Sequence, residues 1–180
     1  MMICIDVDYR DDHAIAAGIL FREWTDETPV REIVERIDGI ELYIPGQFFR
    51  RELPCLLAVL ARAGEPIDLV VVDGYVWLGD ESHPGLGGHL YEALGRSTAV
   101  VGVAKTCFRS ATLAVAIRRG EDAKRPLFVT AAGIDVQEAA RHVETMHGIY
   151  RVPTLLKRVD SACRQAPSVK ASSSPGDRCN

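Results

Sequence analysis

Three acidic residues stand in settings where a carboxylate is unusual. Asp6 interrupts an apolar alternation, Ile3, Ile5 and Val7, and with Asp8 falls on the opposite face of the strand which that alternation implies. Asp73 ends a continuous apolar run, Leu69 to Val72. Glu52 lies on the border of a helical stripe made by Phe49, Leu53, Leu56 and Leu60, with Arg50 and Arg51 pointing away. An acid at a core margin needs a cation beside it, and several acids together repel one another, so a site that gathers them is expected to recruit one. Carboxylate oxygens are hard ligands suited to Mg²⁺ or Mn²⁺, and no His/Cys set of the kind zinc prefers is present. Each residue also has an ordinary alternative. Glu52 fits a helix-start acid facing the dipole, and Asp73-Gly74 fits a turn pair.

The elements that must position these acids follow from periodicity and punctuation. Residues 2 to 9 form a first strand, and the turn Arg10-Asp11-Asp12 favours a hairpin into Ala14 to Phe21, a run whose periodicity alone does not separate strand from helix. A third strand is predicted over Ile37 to Ile44, with the charged link from Arg22 to Arg36 able to contribute an edge strand. The chain breaks at Pro45-Gly46 and enters a helix ending near Ala63. Ile67 to Gly74 reads as a central strand buried on both faces, with Asp73 at its carboxyl end, the edge where ligands of open α/β sheets bind. A loop from Tyr75 to Pro84 precedes a Gly-rich helical stretch to about Leu94. Thr98 to Ala104 is a second buried strand, parallel to the first across the intervening helix and closed by Lys105. Leu113 to Ile117 and Pro126 to Thr130 are further strands. Asp135 to His147 is helical with Ala139, Ala140 and Val143 inward, and Thr154 to Gln165 is a last helix. There are no internal repeats.

At 180 residues the chain fits one domain with a real core. Ser, Pro and Gly dominate from Ala166 onward, a composition that does not order itself, so a domain over 1–165 and a disordered tail over 166–180 are expected. No apolar run approaches the roughly 18 residues that span a bilayer, and Met-Met-Ile-Cys-Ile-Asp is too short and too quickly charged for a signal peptide. Five scattered cysteines without a Cys-x-x-Cys pair point to reduced thiols in a cytoplasmic protein. The net charge of -4 conceals an asymmetry: residues 1–100 carry 8 basic and 18 acidic side chains, residues 101–180 carry 13 and 7. An acidic half and a basic half suit a site holding cations on one side and phosphates on the other, though solvated faces patterned by chance would look the same.

Strands followed by a helix and then a strand ending in Asp make the pattern of ribonuclease H-like nucleases, an α/β fold with a mixed sheet flanked by helices. Within that pattern stand, in order, Ile5-Asp6-Val7, Tyr43-Ile44-Pro45-Gly46 with Arg51-Glu52 beyond it, Val70-Val71-Val72-Asp73-Gly74, His83-Pro84, and Gly102-Val103-Ala104-Lys105. In this ordered set the chain resembles the endonuclease V family, the inosine-directed nucleases of DNA and RNA. The resemblance covers about residues 3 to 164. The resemblance implies that Asp6, Glu52 and Asp73 bind metal, and that Asp160 in the last helix is the fourth ligand. It implies that Lys105 contacts the phosphate, and that Tyr43, with Ile44, Pro45 and Gly46, forms a wedge beside the lesion. His83 corresponds to a site-proximal histidine. The implied chemistry is Mg²⁺-dependent hydrolysis of the second phosphodiester 3′ to the lesion, by a monomer. Basic residues of the later half, Arg118, Arg119, Lys124 and Arg125, are candidates to track the nucleic-acid backbone.

Two segments depart from the family's pattern. Tyr75 to Ser82, with Trp77, Asp80 and Glu81, intervenes between Asp73-Gly74 and His83-Pro84, and Thr130-Ala131-Ala132-Gly133 stands where the family has Ser-Pro-Gly-His. The first of these helps form the base pocket in the family. A ribonuclease H-like nuclease of another specificity, and a non-catalytic nucleic-acid-binding relative, therefore remain as alternatives.

Overall fold

The computed structural model describes residues 1–39, 49–108, 110–120 and 125–167. The predicted wedge, Tyr43 to Gly46, and the tail from residue 168 lie outside the described residues.

The first two strands, β1 (Met2–Tyr9) and β2 (His13–Phe21), form the expected antiparallel hairpin. All nine residues of β2 are buried, which is why its sequence carries no alternation. The third strand, β3 (Arg31–Asp38), pairs antiparallel with β2 from His13↔Asp38 to Leu20↔Arg31. It is the edge strand expected of the charged link, extended to Ile37 and Asp38; the rest of the predicted third strand, from residue 40 to Ile44, lies outside the described residues. As an edge strand it buries little beyond Ile33, and its charges find partners across the surface, Glu32 with Arg158 and Glu35 with Arg62. That solvated edge is why its composition looks like a connector.

Helix α1 (Phe49–Ala61) leads to β4 (Leu69–Asp73), α2 (Leu86–Ala93) and β5 (Ala99–Ala104), then β6 (Val115–Ile117), β7 (Leu127–Ala132), α3 (Val136–Thr145) and α4 (Thr154–Gln165). The described strands make one mixed sheet in the order β3-β2-β1-β4-β5-β7-β6. β4 pairs parallel with both β1 and β5, and β7 runs antiparallel to β5. Ile3, Ile5, Val70 and Val72 bury one face of the sheet against Leu56, Val59 and Leu90 of α1 and α2. Cys4, Val71 and Val101 bury the other against Ala139, Val143, Leu155 and Val159 of α3 and α4. At Gly18 of β2 an added Cβ would lie 2.5 Å from Val59 Cγ1, so α1 sits closer to the sheet than any side chain there would allow.

Strand alternation places the acids. Cys4 and Val71 face α4, so Asp6 and Asp73, two residues further along each strand, lean to the same side at the carboxyl edge. The registered pair Ile5↔Val72 sets them abreast.

The segment after β4 is folded rather than looping freely. Trp77 bridges to Pro84, the Leu78 N–H donates to His83 O at 2.8 Å, and Trp77 is only 8% exposed. Its indole Nε1–H donates to Ala131 O at 2.9 Å, and the Val76 N–H donates to the buried Thr130 hydroxyl at 2.8 Å. Gly102 permits this approach: a Cβ there would lie 2.6 Å from Gly74 O and 2.8 Å from Val76 N. Removing the hydroxyl leaves the Val76 N–H buried without a partner. Thr130→Val is expected to cost about 1–3 kcal/mol in urea unfolding, whereas Thr130→Ser, which keeps the acceptor, costs less.

Candidate active site

Lys105, the residue after β5, donates from Nζ to Asp73 Oδ2 at 2.6 Å. Burial opposes its charge, but the Asp73 hydrogen bond and the fields of Asp73, Asp160 and Asp6 outweigh that cost and raise its pKa. Asp6 accepts from the Val7 N–H at 2.9 Å and lines a narrow cleft of about 20 Å³ with Asp73, Lys105 and Leu156. Burial, reinforced by the charges of Asp73 and Asp160, pushes the Asp6 carboxyl up to about 6, against lowering by the Val7 amide and Lys105.

Glu52 enters from the opposite face of the sheet. The buried stripe of α1 is Cys55, Leu56 and Val59, so Glu52 sits in line with that stripe, one turn ahead, rather than on its border. Burial, with Asp6 and Asp73 adding like charge, raises it to about 8. Arg51 does not point away as the helical projection predicts. Its guanidinium stands 4.1 Å from the Tyr9 ring centroid and partly offsets the rise at Glu52. Glu52 and Asp73 also border a second cavity of about 350 Å³, with Phe49, Tyr75, Leu78 and His89. There the Phe49 and His89 rings are stacked at 3.6 Å between centroids and 15° between planes.

Asp160 projects from α4 half-buried, with Arg164 Nη2 at 3.0 Å from its Oδ1. It borders a third cavity of about 440 Å³ with Lys105, Tyr150, Arg151 and Lys157. At one sheet edge Asp6, Asp73 and Asp160 thus act on Lys105, and Asp6 and Asp73 act on Glu52. The donors are all hard oxygens, and two of them have pKa values raised by burial first and by neighbouring acids second; this chemistry fits a divalent cation. Among the described residues, however, no group of three or more His, Cys, Asp or Glu side chains is drawn together tightly enough to hold a metal ion.

His83 lies outside this group. Its side chain is 70% exposed, with Nδ1 2.9 Å from Asp80 Oδ1 and 3.0 Å from Ser82 Oγ. It lines an open cleft that shares Leu78, Pro84 and His89 with the Glu52 cavity. Of the expected backbone-tracking residues, Arg118 and Arg125 are exposed and Lys124 is outside the described residues. Arg119 is not available: it is 7% exposed, and its guanidinium donates to main-chain carbonyls at the end of α3 and in the segment between α3 and α4. His89, Phe49, Tyr150 and Arg151 border the site without having been singled out from sequence. His89 follows a glycine pair inside a short helix, where no carboxylate or polar run marks it.

Fold and site define a class: a ribonuclease H-like α/β protein with acids and a lysine gathered at the carboxyl edge of its sheet. The family profile of endonuclease V matches residues 1–121. Endonuclease V of Streptomyces avermitilis is 30% identical over 189 residues, covering 90% of this chain and 78% of the relative. That of Streptomyces coelicolor is 33% identical over 185 residues, covering 90% and 77%. The crystal structure of the S. avermitilis enzyme superposes with a TM-score of 0.73 at 26% identity, over 91% of this chain and 79% of that one. The Ciona intestinalis endonuclease V, solved with DNA containing an inosine followed by a ribo-adenosine, gives 0.75 at 17% identity, over 91% and 83%. The chain belongs to the endonuclease V family, and is a nuclease by that membership.

The raised carboxyls have a consequence for stability. The folded protein holds these protons more tightly than the unfolded chain. Their contribution is therefore fully present below the ordinary values of 3.8 and 4.5, and is lost as pH rises through about 6 for Asp6 and about 8 for Glu52. Glu52→Gln is expected to stabilise the metal-free protein at pH 9 by on the order of 1–2 kcal/mol, after solvent screening, and to leave it unchanged at pH 4. Thermal unfolding in EDTA across this range measures it, and a variant no more stable than wild type at pH 9 refutes the coupling.

Proposed function

We propose that the chain is a divalent-metal-dependent endonuclease that hydrolyses the second phosphodiester 3′ to inosine in DNA or RNA, leaving a 3′-hydroxyl and a 5′-phosphate, and that it serves DNA repair as a cytoplasmic monomer. The observation that carries this reading is the electrostatic coupling of Asp6, Asp73 and Asp160 with Lys105, and of Glu52 with Asp6 and Asp73, at one sheet edge between two cavities. The inosine-containing DNA bound by the Ciona relative supports the substrate class. Among the described residues no helix is long and apolar enough to cross a membrane. The described cysteines, Cys4, Cys55, Cys107 and Cys163, are all free.

Asp6, Glu52, Asp73 and Asp160 would hold Mg²⁺ or Mn²⁺, which when bound would supply Lewis-acid polarisation of the phosphate and a water of lowered pKa. The remaining work falls to the protein. Lys105, kept charged and aimed by Asp73, offsets negative charge developing on the phosphate oxygens. The cavity walled by Phe49, Tyr75, Leu78 and His89 adjoins Glu52 and Asp73, and receives the base while the phosphate lies at the acids. Tyr43 to Gly46, directly ahead of α1, supplies the wedge that keeps the strands apart.

One observation favours a second reading for specificity. Tyr75 and Leu78, which wall that cavity, belong to the segment pinned by Trp77, so a nuclease of the same chemistry with another base preference uses the same residues. Nicking of otherwise identical oligonucleotides with and without inosine, as DNA and as RNA, separates the two. Wild type with Mg²⁺ is expected to cut only the inosine strand, and Asp73→Ala to lose roughly 10²-fold or more of the rate. Equal cleavage without inosine would leave the chemistry and transfer the assignment to the second reading. Absence of Mg²⁺-dependent cutting would end both.

A further inference from the structure

The cleft at Asp6, Asp73 and Lys105 lies between two larger cavities. It shares Asp73 with the Phe49–His89 cavity, and Lys105, Val152 and Leu156 with the Tyr150–Lys157 cavity. A strand whose phosphate sits at the acids and whose base enters the first cavity must continue across the second. The surface it meets there is unlike ordinary protein exterior. Tyr150 is 63% exposed and Ile149 60%, and the Lys157 ammonium lies 5.4 Å from the Tyr150 ring centroid. Lys157 has no carboxylate partner among the described residues.

The segment carrying this ring is held rigidly. Arg119, buried beneath it, donates to Tyr150 O at 3.0 Å, Gly148 O at 3.1 Å, Arg151 O and Glu144 O at 3.4 Å, and also to Met146 O. Gly120 lets the chain pass below, since a Cβ there would lie 2.5 Å from the Tyr150 carbonyl carbon. Arg151 Nη2 donates to Pro126 O at 2.9 Å and to the main-chain oxygen of Lys105, tying the segment to the catalytic edge. A buried guanidinium spent on fixing the main chain beneath an exposed tyrosine makes a preorganised aromatic platform, the form that binds a stacked base at least entropic cost.

We infer that Tyr150 and Lys157 form a binding shelf for single-stranded nucleic acid on the 3′ side of the cleaved phosphate, with a base stacked on the Tyr150 ring and the adjoining phosphate held by Lys157. The assignment of the 3′ side rests on the inosine-nuclease reading; the shelf itself needs only a strand crossing the acids. Stacking is indifferent to base identity, so the shelf adds affinity and register without adding selectivity.

The test measures binding by fluorescence anisotropy in EDTA, where nothing is cut, of an oligothymidylate of about twelve nucleotides and of an abasic strand of equal length. Wild type is expected to bind the thymidylate about tenfold more tightly than the abasic strand. Tyr150→Ala is expected to remove most of that difference by weakening the thymidylate alone, and Tyr150→Phe to retain it. Lys157→Ala is expected to weaken both strands and reduce the salt slope by about 0.7. Thermal unfolding of each variant checks that the fold is kept. The shelf is overturned if wild type binds the two strands alike, or if Tyr150→Ala discriminates as wild type does. It is also overturned if Tyr150→Ala changes only the sedimentation of the protein, which would make the patch a contact between copies. Nicking of an inosine strand by wild type, run alongside, reports separately on the nuclease reading.

Discussion

Everything at the carboxyl edge of the sheet depends on like charges being held together where water only partly screens them. Asp6 on β1 and Asp73 at the end of β4 are brought abreast by parallel pairing, and Glu52 reaches the same edge from the far side of the sheet. The sheet cannot relieve the repulsion by bending, because Ile5 and Val72, the registered pair just before the acids, are locked in the core. The molecule answers with one cation at the next strand end, Lys105 on Asp73, and with two carboxyls that retain protons more readily than free acids. Arg164 on Asp160 and Arg51 near Glu52 add positive charge at the margins, but Asp6 and Glu52 keep raised pKa values, so the edge remains a place where a further cation lowers the energy.

The same geometry explains why the site is spread over distant parts of the chain. Parallel strands align their carboxyl ends at one edge, so the residues after β4 and β5 meet although 32 positions separate Asp73 from Lys105. Helix α4 closes the side to which Asp6 and Asp73 lean, and its Asp160 adds to the field at both Asp6 and Lys105. The helix itself is held by Leu155, Val159 and Cys163 in the core, which makes Asp160 a fixed participant.

Legibility in the sequence follows from burial. β4 and β5 are continuous apolar runs because both faces of a central parallel strand are covered, and α4 shows its period because one face only is buried. β3 was legible only as a possible edge strand, because a strand with one solvated side carries the charges of a connector. Arg51 was misdirected because a helical wheel does not know that Tyr9 offers an aromatic face across the sheet edge. Arg119 was misread as solvent-facing for a similar reason: nothing local announces that a nearby segment will present it with main-chain carbonyls. Asp160 has no local signature beyond that of a solvated helix residue, and only the resemblance pointed to it.

The segment after β4 and the end of β7, read from sequence as the two unusual stretches, are joined in the structure. Trp77 and Val76 on the first donate to Ala131 and Thr130 on the second, and Gly102 of β5 keeps the floor between them low enough for the main chains to meet. The indole finds a main-chain carbonyl, and the Val76 N–H finds the Thr130 hydroxyl, so each buried donor of the first segment is satisfied by the second. The joined unit ends in Tyr75 and Leu78 at the wall of the Phe49–His89 cavity and does not reach the cleft of Asp6 and Lys105. The acids and the neighbouring cavity thus rest on different pieces of the fold: strand ends hold the acids, while the segment after β4 contributes Tyr75 and Leu78 to the cavity wall.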